Sequence, residues 1–329
     1  MKIKKFFFAN IREISLVIVM IAIAFFVQFR SGGNFFTAEN IGDMLAETAV
    51  LAICAVGMMC VMITGGIDLS IGAIMALGAM IAGNVLKNNQ ALPNIVIVLI
   101  AIGVGMLAGL INGTLVSKLR IIPIIATLGT MNIFRGITYL VSNGKWVMQQ
   151  DMGPKFLSLA TGSILNINNL ILIAAVVYII AAFFMSKTRT GRKIYAVGNS
   201  EENARVSGIK TQRTLILAYV ILGALAGLGG ILYVCKYGVA QGETCVGYEM
   251  NVIAACVLGG VSVTGGTGRV PGVLLGAVML GMLNNAMPLI HISAFWQDAV
   301  RGLIILLSIL ANTLIRRNVE NKALRRRNI

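Results

Sequence analysis

The feature that most constrains this chain is a succession of ten apolar segments, separated by short polar connections. The segments lie approximately at 14–29, 41–63, 68–86, 94–117, 121–142, 168–186, 214–235, 249–264, 270–287 and 294–315. A helix needs ~20 apolar residues to cross the hydrocarbon core. Since lipid offers no hydrogen-bond partners, a membrane-spanning segment must satisfy its own backbone groups, which a helix does and an open sheet does not. The sequence therefore predicts an all-α polytopic membrane protein with about ten transmembrane helices. Because the connections are short, we expect one transmembrane domain over 1–329.

The distribution of basic residues predicts the orientation of these helices. If both termini are cytoplasmic, the inner segments are 1–13, 64–67, 118–120, 187–213, 265–269 and 316–329. They hold 20 of the 27 Lys and Arg residues, whereas the outer segments hold five. This bias follows the positive-inside rule and predicts a cytoplasmic loop at 187–213 and a basic cytoplasmic tail at 316–329. We therefore attribute the net charge of +15 to basic residues that contact membrane lipid on the cytoplasmic side. The sequence contains no nucleic-acid-binding motif, so nucleic acid is not an expected partner.

The loop 187–213 carries seven Lys and Arg residues and two glutamates. Its centre, Gly198–Ile209, predicts a short helix that Asn199 or Ser200 caps and Gly208 ends. Two acidic residues at its start suit the positive end of the helix dipole. A capped helix on a basic cytoplasmic loop is typical of a surface that docks against another protein.

Two glycine-rich turns on the cytoplasmic side resemble each other, Ile63–Met80 and Leu258–Gly281. Each interrupts an apolar run with paired glycines and small hydroxyl residues. Interrupted helices at matching positions mark the translocation path in some transporters, whereas glycine also serves close helix packing. For the glycines alone, packing is the simpler interpretation.

Polar side chains at membrane depth are costly unless they are paired or face a polar cavity. Asp68 either caps the third span or, with Ser70, acts as a gate at the inner mouth. Glu47 and Arg135 are candidates for a pair between helices, and Asp298 and Arg301 are spaced to pair on one helix. The remaining candidates are an intramembrane carboxylate and four amides that suit either a hydroxylated solute or contacts between helices: Asp43, Asn112, Asn132, Asn284 and Asn285.

Residues for enzyme chemistry are scarce. The single histidine, His291, excludes a histidine metal cluster, and GGTGRVPG lacks the Lys-Ser/Thr end of a phosphate-binding loop. We therefore expect no cofactor, no metal and no catalytic site. If transport uses ATP, we expect another subunit to hydrolyse it. The five cysteines are expected to act as small hydrophobes, a Cys235–Cys245 disulfide being the less favoured alternative.

Three stretches together resemble bacterial sugar ABC-importer permeases of the ribose, galactose and xylose type. They are MITGGIDLSIGAIMALGAMIAG (Met62–Gly83), GRKIYAVGNSEENARVSGI (Gly191–Ile209) and CVLGGVSVTGGTGRVPGVLLGAVMLGMLNNAM (Cys256–Met287). The resemblance covers essentially the whole chain. It implies the type II, vitamin-B12-importer-like permease fold in the bacterial inner membrane, and the import of a monosaccharide.

The resemblance also implies partners and site residues. The partners would be two cytoplasmic ATP-binding subunits, an extracytoplasmic solute-binding protein and a second permease, either a copy or a paralogue. The family's DLS motif falls on Asp68–Ser70. Its coupling segment falls on Gly198, Asn199, Ser200, Glu201, Glu202, Ala204, Arg205, Ser207 and Gly208, with Ser200 where many members have Gly or Asn.

Two questions stay open at this level. The tail Asn284–Leu310 is similar to rhamnose and furanosyl-autoinducer permeases, which leaves the sugar undecided. An ion-coupled secondary transporter of sugars or nucleosides is the alternative function, and it would need no ATPase.

Overall fold

A computed structural model describes residues 11–293 together with positions 296, 299, 300, 302, 303 and 306. The helices are α1 Ile11–Arg30, α2 Ala38–Ile63, α3 Ile71–Asn88, α4 Asn94–Ser117, α5 Pro123–Ser142, α6 Gln149–Met152, α7 Pro154–Thr161, α8 Asn169–Lys187, α9 Arg189–Asn199, α10 Glu201–Val206, α11 Thr211–Tyr237, α12 Tyr248–Leu258 and α13 Val270–Leu289. The strands are β1 Val147–Met148, β2 Ser163–Ile164, β3 Ile167–Asn168 and β4 Val239–Ala240. They form two short antiparallel pairs, β1 with β4 and β2 with β3.

Eight of these helices are long and apolar enough to cross a membrane, which confirms the all-α polytopic class. They match eight of the predicted spans. The span predicted at 249–264 is the shorter helix α12, which ends at Leu258 because two glycines follow. The tenth, at 294–315, lies largely outside the described residues, so a total of about ten stays a prediction.

Helix α2 forms the centre of the structure. Of its most apolar window, 94% is buried, compared with 11% for α1 and 22% for α8. Every residue of α2 from Thr48 to Ile63 is buried, so this part of the helix is enclosed by protein on all sides. The outward faces of α1, α4, α5 and α8 carry large exposed hydrophobic side chains, as surfaces in contact with lipid do.

Among the described helices, α4 and α11 make the most extensive contact. A Cβ atom at Gly105 would overlap the carbonyl oxygen of Gly223, and one at Gly109 would overlap that of Tyr219. Because lipid tails are as apolar as leucine, contacts between backbones stabilise such a pair more than hydrophobic exclusion does. This seam positions Asn112 and Tyr219, which both belong to a buried polar cluster described below.

All five cysteines are free and buried. Cys235 donates weakly to the carbonyl of Phe156 at 3.6 Å, and Cys256 to that of Ala55 at 3.2 Å. The expectation that they act as small hydrophobes is confirmed. The alternative disulfide between Cys235 and Cys245 is not formed.

Candidate coupling surface and translocation site

The loop 187–213 folds into two consecutive short helices, α9 and α10, where the sequence predicts one. Ser200 separates them and caps α10, its hydroxyl accepting the N–H of Asn203 at 3.2 Å. Gly208 follows with φ of +81°, the left-handed conformation that ends a helix at low cost. The predicted cap and stop of the short helix are therefore confirmed, with Ser200 as the cap.

One face of α10 is anchored and the other is free for contact. Ala204 is buried with Val197 and Leu215, which fixes the helix against α9 and α11. On the opposite side, Glu202 and Arg205 form an exposed ion pair at 2.8 Å. Next to it, Val206 is 80% exposed, an apolar side chain that is not among the coupling residues predicted above.

Glu201 joins α10 to the neighbouring cytoplasmic turn. Its carboxylate accepts from the guanidinium of Arg120 at 3.0 Å and from the hydroxyl of Thr211 at 3.3 Å. Arg120 itself has φ of +57°, so the turn between α4 and α5 adopts an uncommon conformation at this contact. The start of α10 is thus tied to two elements besides its own loop.

The end of α9 rests directly on both glycine-rich turns. A Cβ atom at Gly198 would overlap the carbonyl oxygen of Ile63, the last residue of α2. The same carbonyl accepts the N–H of Gly266, at 2.9 Å. At Gly265, with φ of +90°, a Cβ atom would lie 3.0 Å from the N of Gly65. We call Gly198, Ile63, Gly65, Gly265 and Gly266 the glycine junction.

A second contact fixes α9 to the turn before α13. The Tyr195 hydroxyl donates to the carbonyl oxygen of Gly268 at 2.8 Å. Asn199, one of the two predicted caps, lies with its side-chain oxygen against Gly266, where a Cβ atom would approach it to 2.5 Å. The end of α9 therefore contacts both turns, through the backbone of Gly198 and through the side chains of Tyr195 and Asn199.

Beside the junction lies a buried polar cluster of Asp68, Ser70, Asn112 and Tyr219. Asp68 Oδ1 accepts from the backbone N–H and the hydroxyl of Ser70, at 2.8 and 2.6 Å. Asn112 Nδ2 donates to Asp68 Oδ2 at 2.9 Å and to Ser70 Oγ at 2.8 Å. Asp68, Ser70 and Asn112 are all fully buried. Burial raises the pKa of the Asp68 carboxyl, and the bonds from Ser70 and Asn112 partly oppose that change.

The interpretation of Asp68 as the cap of the third span is wrong. Ser70 occupies the N-cap position of α3, and Asp68 lies two residues earlier, where it closes a turn onto Ser70. The reason is the interhelical bond to Asn112, which holds the carboxylate against α4. Within the described residues, Asn112 Oδ1 and the Tyr219 hydroxyl have no hydrogen-bond partner.

The predicted pair of Glu47 and Arg135 is also wrong. Arg135 donates to the carbonyls of Gly242 and Thr244, each at 2.7 Å, because the loop before α12 folds against α5 and presents them. Glu47 pairs with Lys236 on α11 at 3.7 Å. The partners in both contacts are far apart in the sequence, so residue spacing could not predict either contact.

The amide candidates lie in three places. Asn112 belongs to the buried cluster, whereas Asn132 is exposed on α5 and donates to the carbonyl of Leu128 in its own helix. Asn284 and Asn285 lie near the end of α13, at a cavity described further below. Asp43 is exposed on α2, and Asp298 and Arg301 lie outside the described residues.

Metal and cofactor binding find no support in the described part of the chain. No group of three or more His, Cys, Asp or Glu side chains lies close enough there to hold a metal ion. The site chemistry consists of backbone contacts, amides, hydroxyls and single ion pairs, which suits movement and solute passage.

Comparison with known proteins identifies the family. The sequence model of the family described as "Branched-chain amino acid transport system / permease component" matches residues 40–309. The ribose import permease of Haemophilus influenzae is 36% identical over 303 residues, 92% of each chain. That of Escherichia coli K12 is 37% identical over 300 residues, 91% of this chain and 92% of the relative.

A third relative is the autoinducer 2 import permease of Enterobacter sp. strain 638, 37% identical over 295 residues, 90% of this chain and 84% of the relative. No solved structure matches, so the likeness to the vitamin-B12 importer stays a prediction. Permeases of this family work with ATP-binding subunits, a solute-binding protein and a second permease. The chain therefore belongs to the permease family of ABC importers and is a multi-pass, inner-membrane transport subunit of that class.

Proposed function

We propose that this permease imports a monosaccharide, with ATP hydrolysis on partner subunits that dock on α10. The substrate class rests on the relatives, which are named for ribose and for autoinducer 2. The family model is named for branched-chain amino acids, but the GGIDLS sequence ending at Ser70 is of the sugar-permease type. Both termini lie in the cytoplasm, as the distribution of basic residues predicts.

The proposal rests on one observation: the end of α9 packs directly against the glycine junction, and α10 packs against α9. The docking surface is Glu202, Arg205 and Val206, backed by the buried Ala204. A push on this surface reaches Ile63 and Gly266 through the backbone of Gly198. The flanking residues Asn199, Ser200, Ser207 and Gly208 hold the helix in the conformation that the partner meets.

The translocation path is proposed to run from the amides Asn284 and Asn285 toward the buried cluster of Asp68, Ser70 and Asn112. The cluster lies at the inner end of the path and acts as a gate, since it adjoins the junction that receives the push. Asn132 is not placed on this path, because its side chain is exposed on α5 and donates to the carbonyl of Leu128 in its own helix. A solute-binding protein delivers the sugar on the outer side.

The proposal is tested with Arg205→Glu and with deletion of Glu201–Arg205. Arg205→Glu changes an exposed side chain, whereas the deletion also removes the buried Ala204. Both changes lie outside the membrane-spanning helices, so the protein should insert normally while ATP-driven sugar uptake falls by at least ~10-fold, as for loss of a central interface contact. Uptake is measured in cells that hold the complete importer, with membrane-embedded permease quantified in parallel. Lys145→Glu, on an exposed outer turn, is the matched control and should leave uptake unchanged.

Normal uptake in both variants would contradict the proposed coupling surface. The alternative of an ion-coupled secondary transporter makes the opposite prediction about energy. In that case uptake persists without the ATP-binding partner and collapses when the ion gradient is dissipated.

A further inference from the structure

A cavity lined by both polar and apolar side chains opens at the end of the protein opposite the glycine junction. Its volume is about 470 Å³, within the ~300–1,000 Å³ range of small-molecule sites. The start of α2, the end of α11, the start of α12 and the end of α13 surround it. Under the proposed orientation, these helix ends face the extracytoplasmic side.

Three tyrosines form one wall of this cavity. The ring centroids of Tyr233 and Tyr237 are 4.4 Å apart at an interplanar angle of 45°, and Tyr248 meets Tyr233 edge to face at 5.9 Å. Tyr237 is 49% exposed, so part of its ring is free for a ligand. An aromatic face carries partial negative charge and attracts the C–H groups of a flat, saturated ring.

Hydrogen-bonding groups line the cavity beside the tyrosines. Glu47 and Lys236 approach each other at 3.7 Å, a long contact that leaves both groups with capacity for further hydrogen bonds. The Tyr237 hydroxyl is 3.5 Å from Glu47 Oε1. Asn285 and Asn40 exchange two amide hydrogen bonds, at 2.9 and 3.1 Å, and both are half-buried at the edge of the cavity.

We propose that this cavity is a binding site for a neutral, single-ring polyhydroxylated ligand, such as a monosaccharide released at the outer face. The inference rests on the proposed function and extends it, because it assigns the first contact of the sugar with the permease to this site. The Tyr237 ring packs on the C–H face of the sugar. Glu47, Lys236 and Asn285 bind its hydroxyl groups.

The charges of the cavity favour a neutral ligand over a charged one. Glu47 and Lys236 cancel, so neither a phosphorylated sugar nor another anion finds a surplus of positive charge there. A zwitterionic amino acid would have to separate the Glu47–Lys236 pair. Hydroxyl groups instead bridge the pair and can both donate and accept.

The test uses the full-length permease in lipid nanodiscs, together with the complete importer in proteoliposomes. Proteoliposomes first select the sugar that is taken up with ATP from D-ribose, D-xylose, D-galactose and L-rhamnose. Saturation-transfer NMR then measures transfer from the nanodisc-embedded permease to that sugar, to D-ribose 5-phosphate and to L-leucine. We expect transfer to the neutral sugar only.

Variants locate the binding. Tyr237→Ala and Asn285→Ala should each weaken binding about tenfold, the size of one well-placed contact. Tyr237→Phe keeps the ring and should lose less than Tyr237→Ala. Asn132→Ala is the matched control, because Asn132 is exposed on α5 away from the cavity, and it should bind as the unmodified chain does.

The outcomes separate the two proposals. If no neutral sugar enters with ATP, the proposed function fails. If uptake occurs but the unmodified permease gives no transfer, or the cavity variants bind as Asn132→Ala does, only the cavity assignment is overturned. Stronger transfer to L-leucine or to D-ribose 5-phosphate than to the sugar also overturns it.

Discussion

The two ends of this permease are built in opposite ways. At the cytoplasmic end, backbone meets backbone at Gly198 and Ile63, and the adjacent Asp68 is fully buried. At the other end, a cavity of about 470 Å³ is lined by half-buried polar side chains such as Asn285. At the junction, backbone atoms leave no room for even a Cβ atom at Gly198, whereas the outer cavity is large enough for a small ligand.

This difference in packing agrees with the roles proposed for the two ends, coupling at the cytoplasmic end and ligand binding at the outer end. A packed junction resists deformation and passes on displacement, since close-packed interiors transmit strain. A polar cavity admits a solute and adapts through side-chain rotamers. The same substitution should therefore have very different effects at the two ends, and the predictions below use that contrast.

The largest effect is expected for Gly198→Ala. Its methyl group would overlap the Ile63 carbonyl, a backbone atom that cannot rotate away, so α9 must shift from the junction. Overpacking of this kind typically costs ~1–3 kcal/mol and here misplaces the coupling helix. We expect ATP-driven uptake to fall at least ~10-fold, measured with membrane levels held equal.

Gly83→Ala on α3 is the matched control toward the outer end. The new methyl group would meet only Val147 side-chain atoms at 3.4 Å or more, an ordinary contact. Alanine is also the better helix former, by roughly 1 kcal/mol, so the melting temperature should stay the same or rise. Equal losses of uptake in Gly198→Ala and Gly83→Ala would contradict the proposed difference in packing between the two ends.

A smaller effect is expected for Asp68, and it depends on the replacement. Asp68→Ala leaves donors of Ser70 and Asn112 unpaired in a buried site, at about 1–3 kcal/mol per unsatisfied group. Asp68→Asn keeps an acceptor for Ser70, but its new amide nitrogen faces the Asn112 Nδ2 donor. If the Asn112 amide turns, its Oδ1 accepts from the new amide, and only the Asn112–Ser70 bond is lost. The melting temperature in detergent should therefore fall clearly for Asp68→Ala and less for Asp68→Asn.

The dependence on pH gives a second measurement of the same group. Burial raises the folded-state pKa of Asp68 above its ordinary value of 3.8, so the folded state holds this proton more tightly than the unfolded state. The stability that protonation contributes is present below pH 3.8 and is lost as pH rises through the folded pKa. Asp68→Asn should remove this loss, and parallel pH profiles for the two proteins would contradict the prediction.

The smallest effects are expected for the ion pairs at the two surfaces. Arg120 and Glu201 pair at 3.0 Å on the cytoplasmic side, and Lys87 and Asp151 pair at 3.1 Å on the outer side. Exposed pairs contribute little, so Glu201→Gln and Asp151→Asn should each change uptake by less than about twofold. A severe loss for Glu201→Gln alone would show that α10 depends on Arg120 for its position.

Much of the fold follows from local sequence. Hydrophobic runs predict the long helices because a membrane span needs only length and apolar character. Ser200 and Gly208 predict the limits of α10 because helix capping depends on residues within one turn of the helix end. What the sequence could not provide is which helices face each other. The partners of Glu47 and Arg135 depend on that, so their predicted pair is wrong.

The outer cavity illustrates the same limit. Tyr233 and Tyr237 are four residues apart on one helix, a spacing visible in the sequence, but Tyr248 joins them only through the fold. From the sequence, Lys236 contributes only to the count of basic residues on the outer side, whereas in the structure it pairs with Glu47. The roles proposed for the glycine junction likewise rest on three segments that are distant in the chain, Ile63–Gly65, Gly198 and Gly265–Gly266.

The burial of all five cysteines has a practical consequence for measuring these motions. A water-soluble maleimide should leave the unmodified chain unlabelled, so a single introduced cysteine becomes the sole reactive thiol without prior removal of the native ones. Spin labels or fluorophores at exposed positions outside the docking surface and the cavity, such as Lys193 and Lys145, then report each end of the molecule during the ATP cycle.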